Sequence, residues 1–357
     1  MTEKILSLAK KLITFQSSFE NKKELERIFQ FTLSHFQDFN KEYFERNGVK
    51  SVLIYNKKRR PKKFTLLLNG HLDIIPAKKN QFIPVIKNDR LYGAGAMDMK
   101  ANIACLIIAF QEMAHRVSYP LGLQLVTDEE VGGFDGTKYQ IEKGVLTDFV
   151  LSAEPTNFDI VHQAKGILIL KISAKGKTAH GAYPWRGKNA IWMMHNFLSN
   201  IQKEYTFPKQ EQWVTTLNLN SIETSNKAYN KIPDDCSVSF DVRFVLGEKE
   251  IFLEKLKKLM PKNFSLEILV DEDVLYTDPK NNSLLLLQAI SKKILKKEVI
   301  LRGAQGSSDA RHFSQRGCPG IEFGPIGGGI GSDEEWVNIP SLSTYYQILS
   351  EYILKSK

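Results

Sequence analysis

The sequence predicts an α/β protein with a smaller α+β module inserted into it. Short apolar segments alternate with segments of helical period, and acidic residues or a histidine follow several apolar segments directly. Near residue 166 the pattern changes to strict alternation of apolar and polar residues, which predicts the insertion. We therefore expect a discontinuous domain of residues 1–165 plus 279–357 and an inserted domain of residues 166–278.

The periodicity also predicts the individual elements. Helices are expected at residues 3–15, 22–36, 99–114, 248–259 and 283–295, with a last helix ending near residue 354. Strands are expected at residues 51–55, 64–68, 121–126, 149–152, 167–174, 213–222 and 236–244, and the second of them should end in a turn at Asn69-Gly70. Strands that alternate with helices favour a largely parallel sheet, whose functional groups gather at the carboxyl ends of its strands.

The composition is that of an ordinary globular protein, with 42% hydrophobic and 25% charged residues. The net charge is +9, but the basic residues are scattered, so we interpret them as solvated surface and keep open the attraction of anionic substrates. Cys105, Cys236 and Cys318 lack paired spacing, which favours a reducing compartment. No segment approaches the roughly 20 apolar residues of a membrane span. We expect a soluble, cytoplasmic protein with neither nucleic acid nor membrane as a partner.

Six positions form a candidate metal site. They offer one imidazole and five carboxylates, a set that suits divalent ions, and they are His71, Asp73, Asp98, Glu129, Glu130 and Glu154. Taken singly, each has a plain structural explanation, such as a satisfied histidine, a solvated Glu-Glu pair or a helix-capping aspartate. Their repeated occurrence after successive apolar segments, at the expected active edge, favours a metal site.

The spacing within this set predicts different tasks. Residues i and i+2 of a strand point the same way, so Asp73 can accept the second ring N–H of His71 and fix its tautomer. Glu129 and Glu130 are neighbours and should point in different directions. One can then bind a metal while the other faces the substrate water.

Four motifs resemble the co-catalytic zinc aminoacylases and exopeptidases, a family that includes succinyl-diaminopimelate desuccinylase, acetylornithine deacetylase and related carboxypeptidases. The motifs lie at residues 70–73, 93–100, 128–132 and 152–155 and read GHLD, GAGAMDMK, DEEVG and SAEP. The resemblance implies a zinc-exopeptidase-like, three-layer catalytic domain interrupted by a lid and dimerisation domain. It also implies hydrolysis of the amide bond of an N-acyl amino acid or small peptide.

The resemblance assigns roles to the six positions. His71, Asp98 and Glu154 would hold one zinc, and Asp98 would bridge to a second zinc held by Glu130. Glu129 would be the general base and acid, with a metal-bound water as the nucleophile. Asp73 would orient His71, and Co²⁺ or Mn²⁺ could replace zinc.

Further motifs concern the oxyanion and the substrate. Within residues 177–184, His180 resembles the family's histidine that reaches the partner subunit's active site and donates to the oxyanion, which implies a homodimer through the lid domain. The candidate substrate-binding residues are Asn230, Arg243, Gly306, Ser307 and Arg311. For the arginines, a surface position on an alternating strand and a helix-capping turn remain alternatives. Two arginines near a metal site favour a small acidic N-acyl amino acid or peptide.

The sequence departs from the family pattern at Gly331. The family closes its second metal site with a histidine four residues before a glutamate, and here Gly331 precedes Glu335 by that spacing. No histidine follows His312 in the chain. Since glycine has no ligating side chain, the second site should be weak or empty. Replacement of the missing ligand by His312, Asp333 or Glu334 is an alternative.

Three interpretations remain open at this point. The chain is an active amide hydrolase with one tight metal, or a catalytically impaired family member that binds an acyl amino acid, peptide or protein partner. The third interpretation is a natural or deliberate substitution in an otherwise normal enzyme. The retained residues His71, Asp98, Glu129, Glu130 and Glu154 favour the enzyme.

Overall fold

The computed structural model describes residues 1–205 and 207–357. Within them the α-helices, in chain order, are α1 (Thr2–Ile13), α2 (Lys22–Leu33), α3 (Lys100–Met113), α4 (Tyr139–Glu142), α5 (Ala190–Glu204), α6 (Lys249–Leu259), α7 (Asn282–Leu295), α8 (Ala310–Ser314) and α9 (Ile339–Lys355). None of the helices in this part of the chain is long and apolar enough to cross a membrane.

The strands of the same residues, in chain order, are β1 (Asn40–Arg46), β2 (Val49–Tyr55), β3 (Leu66–His71), β4 (Val85–Lys87), β5 (Arg90–Tyr92), β6 (Leu121–Val126), β7 (Val150–Ser152), β8 (Ile160–Ala164), β9 (Gly166–Lys175), β10 (Thr216–Glu223), β11 (Asp235–Phe244), β12 (Phe264–Glu272), β13 (Leu275–Tyr276), β14 (Leu301–Ala304), β15 (Gly320–Glu322), β16 (Gly327–Gly328) and β17 (Trp336–Asn338). They confirm the predicted α/β fold class.

The larger of two compact units comprises Met1–Gln163 and Leu275–Lys357. Its main sheet has the order β1-β2-β6-β3-β7-β15-β8-β13, and β14 pairs with β8. The middle strands are parallel, because β3 pairs in parallel with β6 and β7, and β7 pairs in parallel with β15. Antiparallel pairs flank this centre, so the sheet is mixed.

Strand β3 shows why the unit has three layers. All six of its residues are buried, as expected for a parallel strand covered on both faces. Leu66 and Leu68 belong to the apolar cluster that includes α1, α3 and α9, whereas Leu67 belongs to a cluster on the other face with Ile141 of α4 and Phe313 of α8. Successive side chains of a strand point to opposite faces, so helices must cover both.

The predicted end of β3 was wrong. We expected a turn at Asn69-Gly70, but the strand continues through these residues to His71. Helix α3 packs directly over this segment, and a Cβ atom on Gly70 would lie 2.5 Å from the Ile103 Cδ1 atom. Gly70 therefore permits a close approach of helix and strand rather than forming a turn.

The smaller unit, Ala164–Val274, is an antiparallel sheet of order β10-β11-β9-β12 with helices α5 and α6. Strands β9 and β11 alternate between buried and half-buried residues, and their buried residues join those of both helices in one apolar cluster. This alternation is expected for a sheet with one covered face. The predicted boundaries were residues 166 and 278, and the lid and dimerisation role of this unit stays a prediction.

Several elements carry no clear pattern in the sequence. Strand β1 buries only Phe44, and edge strand β12 exposes or half-exposes every residue except Glu272, so neither shows apolar alternation. A small sheet of order β16-β17-β5-β4 joins the Gly-rich segment before α9 to the segment before α3. That pairing could not be predicted, since its strands contain only two or three residues each.

Candidate metal centre

Three neighbouring parallel strands bring the candidate residues together. His71 is the last residue of β3, Glu129 and Glu130 follow β6, and Glu154 follows β7. These strands lie side by side in the order β6-β3-β7, so their carboxyl ends meet at one edge. Asp98 joins them from the segment that precedes α3.

His71, Asp98 and Glu154 form one compact group. Each offers a ligand atom, and these atoms all lie within 4.8 Å of one another. His71 Nε2 is 3.1 Å from Asp98 Oδ1. His71 is buried, and Glu154 is 9% exposed. Nitrogen and oxygen ligands bound to one zinc at about 2.0–2.2 Å lie roughly 3.4 Å apart in a tetrahedral site, so the group fits a divalent ion after small movements.

Asp73 organises this edge of the sheet through two kinds of contact. Its carboxylate accepts the backbone N–H groups of Glu129 at 3.2 Å and of Glu130 at 3.0 Å. The His71 Nδ1 atom lies 2.9 Å from the Asp73 carbonyl oxygen but 3.5 Å from its carboxylate. The predicted ring contact is therefore made mainly by the Asp73 backbone, because the carboxylate is already engaged by the loop after β6.

The electrostatic environment is that of a site built for a cation. Burial would lower the pKa of His71, but contacts with the Asp73 and Asp98 carboxylates outweigh burial and raise that pKa well above its ordinary value. Burial, with the nearby charge of Asp98, raises the pKa of Glu154 well above its usual range. Both groups therefore keep their protons to a higher pH than usual, and a bound ion would have to displace them.

Glu129 and Glu130 face different surroundings, as their adjacency predicts. Burial raises the pKa of Glu129 well above its ordinary value, and the Glu154 charge raises it further against the opposing effect of His71. Glu130 lines a cavity of about 300 Å³ together with Asp98, and burial raises its pKa to about 7. A carboxyl group whose pKa is raised toward neutrality is suited to take up and release a proton.

The segment that carries Asp98 is ordered by Glu335. The Glu335 carboxylate accepts the backbone N–H groups of Gly95 at 2.9 Å, Met97 at 2.8 Å and Asp98 at 2.9 Å. In the sequence, Glu335 shows only where the missing histidine would stand, four residues earlier. Its carboxylate acts on the backbone, which spacing in the sequence does not reveal.

Gly331 lies at the wall of the cavity that contains Asp98 and Glu130. Its φ of +71° is in the left-handed region, and a Cβ atom there would meet only the Ile75 Cδ1 atom, at 3.2 Å. The position therefore borders the same cavity as the two carboxylates but has no side chain that could ligate an ion.

The three proposed replacements for the missing ligand do not join the metal group. His312 Nε2 lies 2.9 Å from the Gly132 carbonyl oxygen, Asp333 forms an ion pair with Lys78, and Glu334 is exposed. Within residues 1–205 and 207–357, the only group of three or more histidine, cysteine or acidic side chains close enough for one ion is the one formed by His71, Asp98 and Glu154.

The smaller unit carries three of the predicted residues. His180 Nδ1 accepts the Ala182 backbone N–H at 3.1 Å, so the neutral ring carries its proton on Nε2. Arg243 donates to both carboxylate oxygens of Asp241, from Nε at 2.8 Å and from Nη2 at 3.1 Å. Asn230 lies in an exposed turn, where its carbonyl oxygen accepts the Gly181 N–H at 2.6 Å.

The predicted substrate turn lies in the larger unit. Gly306 is exposed, and the Ser307 Oγ atom is buried without a hydrogen bond among the described residues. Arg311 is buried, and its guanidinium donates to the carbonyl oxygens of Ser308 at 2.8 Å and Gly132 at 2.6 Å. It therefore braces the loop after Glu130, and a part in substrate binding stays a prediction.

Sequence reasoning missed Asn102, which joins two of the segments that carry ligands. Its side chain lies in the first turn of α3 and donates to the Ala153 carbonyl oxygen at 2.6 Å, next to Glu154. The sequence does contain a signal for this contact: Asn102 is a polar residue in the otherwise apolar segment 101–110, and a buried amide needs a hydrogen-bond partner.

Comparison with known sequences gives a family and full-length relatives. The model of peptidase family M20/M25/M40 matches residues 67–355. The succinyl-diaminopimelate desuccinylase of Pelagibacter ubique is 30% identical and covers 98% of this chain and 98% of its own length. That of Helicobacter pylori strain J99 is 27% identical, over 88% of this chain and 90% of its own. Because these relatives are named as enzymes, they do not favour the interpretation of this chain as a catalytically impaired family member.

Solved structures share the fold over nearly the whole chain. Aminopeptidase PepT from Bacillus cereus has a TM-score of 0.80 at 17% identity, and the alignment covers 99% of this chain and 98% of that one. An M20 family metallo-carboxypeptidase from Sulfolobus solfataricus has a TM-score of 0.76 at 16% identity, covering 98% of each. A dinuclear metal-binding peptidase of the M20 family from Bacillus subtilis has a TM-score of 0.74 at 13% identity, covering 99% and 97%. The extent of the family match and of the Pelagibacter relative shows that this chain belongs to peptidase family M20/M25/M40 and is a hydrolase that cleaves amide bonds with the help of a metal.

Proposed function

We propose that the chain removes the acyl group from a small acidic N-acyl amino acid of the N-succinyl type, or cleaves a small peptide. The observation that carries this proposal is the compact group of His71, Asp98 and Glu154, with the Glu129 carboxyl beside it. The desuccinylase relatives favour the acyl amino acid, and the net charge of +9 would help to attract an acidic substrate.

One tightly bound zinc is proposed for His71, Asp98 and Glu154, since zinc binds imidazole nitrogen and carboxylate oxygen and a catalytic zinc usually has three protein ligands. The ion would polarise the scissile carbonyl group and activate a water molecule as the nucleophile. Co²⁺ and Mn²⁺ have similar ligand preferences and could take its place.

Glu129 is proposed to carry the proton. Its carboxyl lies close enough to His71 and Glu154 for their charges to act on its pKa, and it does not line the cavity that contains Glu130. As a carboxylate it would accept a proton from the attacking water, and as the acid it would deliver that proton to the leaving amine. The Asp73 carboxylate holds the Glu129 backbone in place for both steps.

A second ion is proposed to bind weakly. Asp98 and Glu130 line the same cavity and could share it, but Gly331 supplies no third side chain. Catalytic zinc usually has three protein ligands, so two carboxylates and water should give a site that empties readily.

His180 is proposed to stabilise the oxyanion in the partner subunit's site, as the family resemblance implies. Its Nδ1 atom is engaged by the Ala182 N–H, so its Nε2–H is the ring's donor. Donors of this kind in comparable sites contribute about 2.7–4 kcal/mol to the transition state. Asn230, Arg243, Gly306, Ser307 and Arg311 remain the proposed substrate-binding residues.

Two exposed apolar features support a homodimer formed through the smaller unit. Strand β10 lies at the edge of its sheet and exposes Leu219 and Ile222. Helix α5 exposes Ile191 and Trp192, and the Trp192 side chain is 64% exposed. An unpaired edge strand next to apolar side chains readily pairs with a second copy about a twofold axis.

Glu129→Gln should abolish hydrolysis but leave metal binding intact. Loss of a general acid and base typically lowers kcat about 10²–10⁴-fold. Turnover is measured on a panel of N-succinyl, N-acetyl and dipeptide substrates, and bound zinc by elemental analysis. Full activity of the variant on any of these substrates would contradict the role of Glu129.

The purified chain should hold about one tight zinc after dialysis, and Gly331→His should raise the content toward two. Histidine tolerates the left-handed backbone better than most residues, and Ile75→Ala can be added to relieve the 3.2 Å approach. Gly331→Ala is the matched control, because it has the same backbone strain without an imidazole. Two tight zincs in the unmodified chain would refute the weak second site.

Zinc affinity should rise as the pH rises. The pKa values of His71 and Glu154 are both raised, so each group keeps its proton to a higher pH than usual and must lose it to bind the ion. Titration calorimetry in buffers of different ionisation enthalpy counts the protons released, and net proton release on zinc binding is expected. Binding without proton release would show that the two groups are not the ligands.

The purified chain should sediment as a dimer, and Trp192→Glu together with Ile222→Glu should shift it toward a monomer. Two buried charges without partners would disfavour the interface. Ile83→Glu in the larger unit is the control, since Ile83 is 67% exposed. A monomer in the unmodified chain would exclude the proposed role of His180.

A further inference from the structure

A row of polar side chains crosses the buried middle of the main sheet, directly beneath the metal-binding edge. Asn69 of β3 pairs in register with Gln124 of β6 on one side and with Ser152 of β7 on the other. Their exposed fractions are 1%, 0% and 0%. Apolar side chains would fill these positions without the cost of removing polar groups from water, so the row needs an explanation.

Hydrogen bonds join this row to two further buried residues. Ser152 Oγ donates to Asn69 Oδ1 at 2.7 Å, and Asn69 Nδ2 donates to Gln124 Oε1 at 2.9 Å and approaches Thr137 Oγ1 at 3.4 Å. Thr137 Oγ1 donates to Asp309 Oδ2 at 2.5 Å. We call these five residues, Asn69, Gln124, Thr137, Ser152 and Asp309, the polar layer.

One end of the polar layer reaches the metal group. Ser152 precedes Glu154 by two residues, and its Oγ atom lies 3.5 Å from Glu154 Oε1. The Ser152 hydroxyl donates chiefly to Asn69, at the shorter distance, and only weakly toward Glu154, so Asn69 fixes the position of the oxygen. That fixed oxygen limits where the Glu154 carboxylate can lie.

The other end holds the loop that carries Glu129 and Glu130. Thr137 lies in the helical turn that follows this loop, and Asp309 packs against Gly133. Gly133 has a φ of +65°, and a Cβ atom there would lie 1.8 Å from Asp309 Oδ1, so the carboxylate occupies the space that a side chain would take. The loop cannot shift without disturbing Asp309.

We propose that the polar layer positions Glu154 and the Glu129–Glu130 loop relative to each other, with Ser152 as the positioning residue for the Glu154 carboxylate. The proposal rests on the assignment of Glu154 as a metal ligand under the proposed function. Groups that hydrogen-bond behind metal ligands typically contribute 10–100-fold to metal affinity. Polar residues can position these groups through directional hydrogen bonds, whereas apolar residues at the same positions would contribute only to stability.

The test is zinc affinity measured by competition with a chromophoric chelator, a readout that does not depend on turnover. Ser152→Ala is expected to weaken zinc binding about 10–100-fold. Ser152→Thr keeps the hydroxyl group and should retain most of the affinity. Ser291→Ala is the matched control, since Ser291 is 0% exposed and lies on α7, outside the polar layer. Its affinity should equal that of the unmodified chain.

Thr137→Val tests the far end of the polar layer and leaves the side-chain volume nearly unchanged. Its zinc affinity can be measured even if Ser152→Ala fails to fold. It too should weaken zinc binding, and combined with Ser152→Ala the loss should be smaller than the product of the single losses, because both changes interrupt one network. Full affinity in both single variants, or an equal loss in Ser291→Ala, would overturn the proposal. Glu154→Ala separates the two assignments: if it also keeps full affinity, the metal-ligand assignment itself fails.

Discussion

Mutual repulsion between carboxylates at the carboxyl ends of β6, β3 and β7 is the constraint on which the site depends. Burial raises the pKa of both Glu129 and Glu154, the charge of Asp98 raises both further, and the charge of Glu154 also raises that of Glu129. Without a cation, Glu129 and Glu154 keep their protons to a higher pH than usual, because their pKa values are raised. A divalent ion removes the repulsion directly, so the same arrangement that is costly by itself is suited to binding metal.

Rigid elements hold this edge together against that repulsion. The Asp73 carboxylate accepts two backbone N–H groups from the loop after β6, while its carbonyl oxygen lies against His71. The Glu335 carboxylate likewise accepts three backbone N–H groups from the segment before α3. Both carboxylates act on the backbone rather than on the ion. The ligands are therefore fixed by groups that need no metal to be in place.

The sequence predicted the parts of this arrangement that depend on local pattern. Apolar runs such as residues 64–68 and 121–126 predicted the central strands, and the polar residues after them predicted the site. The structure differs from these predictions where a contact between residues distant in the sequence determines the local conformation. Gly70 extends a strand because α3 packs on it, and Arg311 turns inward to a carbonyl oxygen 179 residues away along the chain. Neither partner can be read from neighbouring residues.

The two halves of the metal centre are supported unequally. His71 and Glu154 lie at or directly after the ends of central strands, and Asp98 is held by Glu335, so the proposed first ion would meet groups fixed by the sheet and its helices. The second ion would depend on Glu130, in a loop, and on position 331, in a Gly-rich segment with an exposed backbone. Under the proposed function, a glycine at 331 would weaken only the half that the fold supports least. The first half would keep an imidazole, two carboxylates and Glu129 as the proposed proton carrier, the groups through which a single bound ion would act.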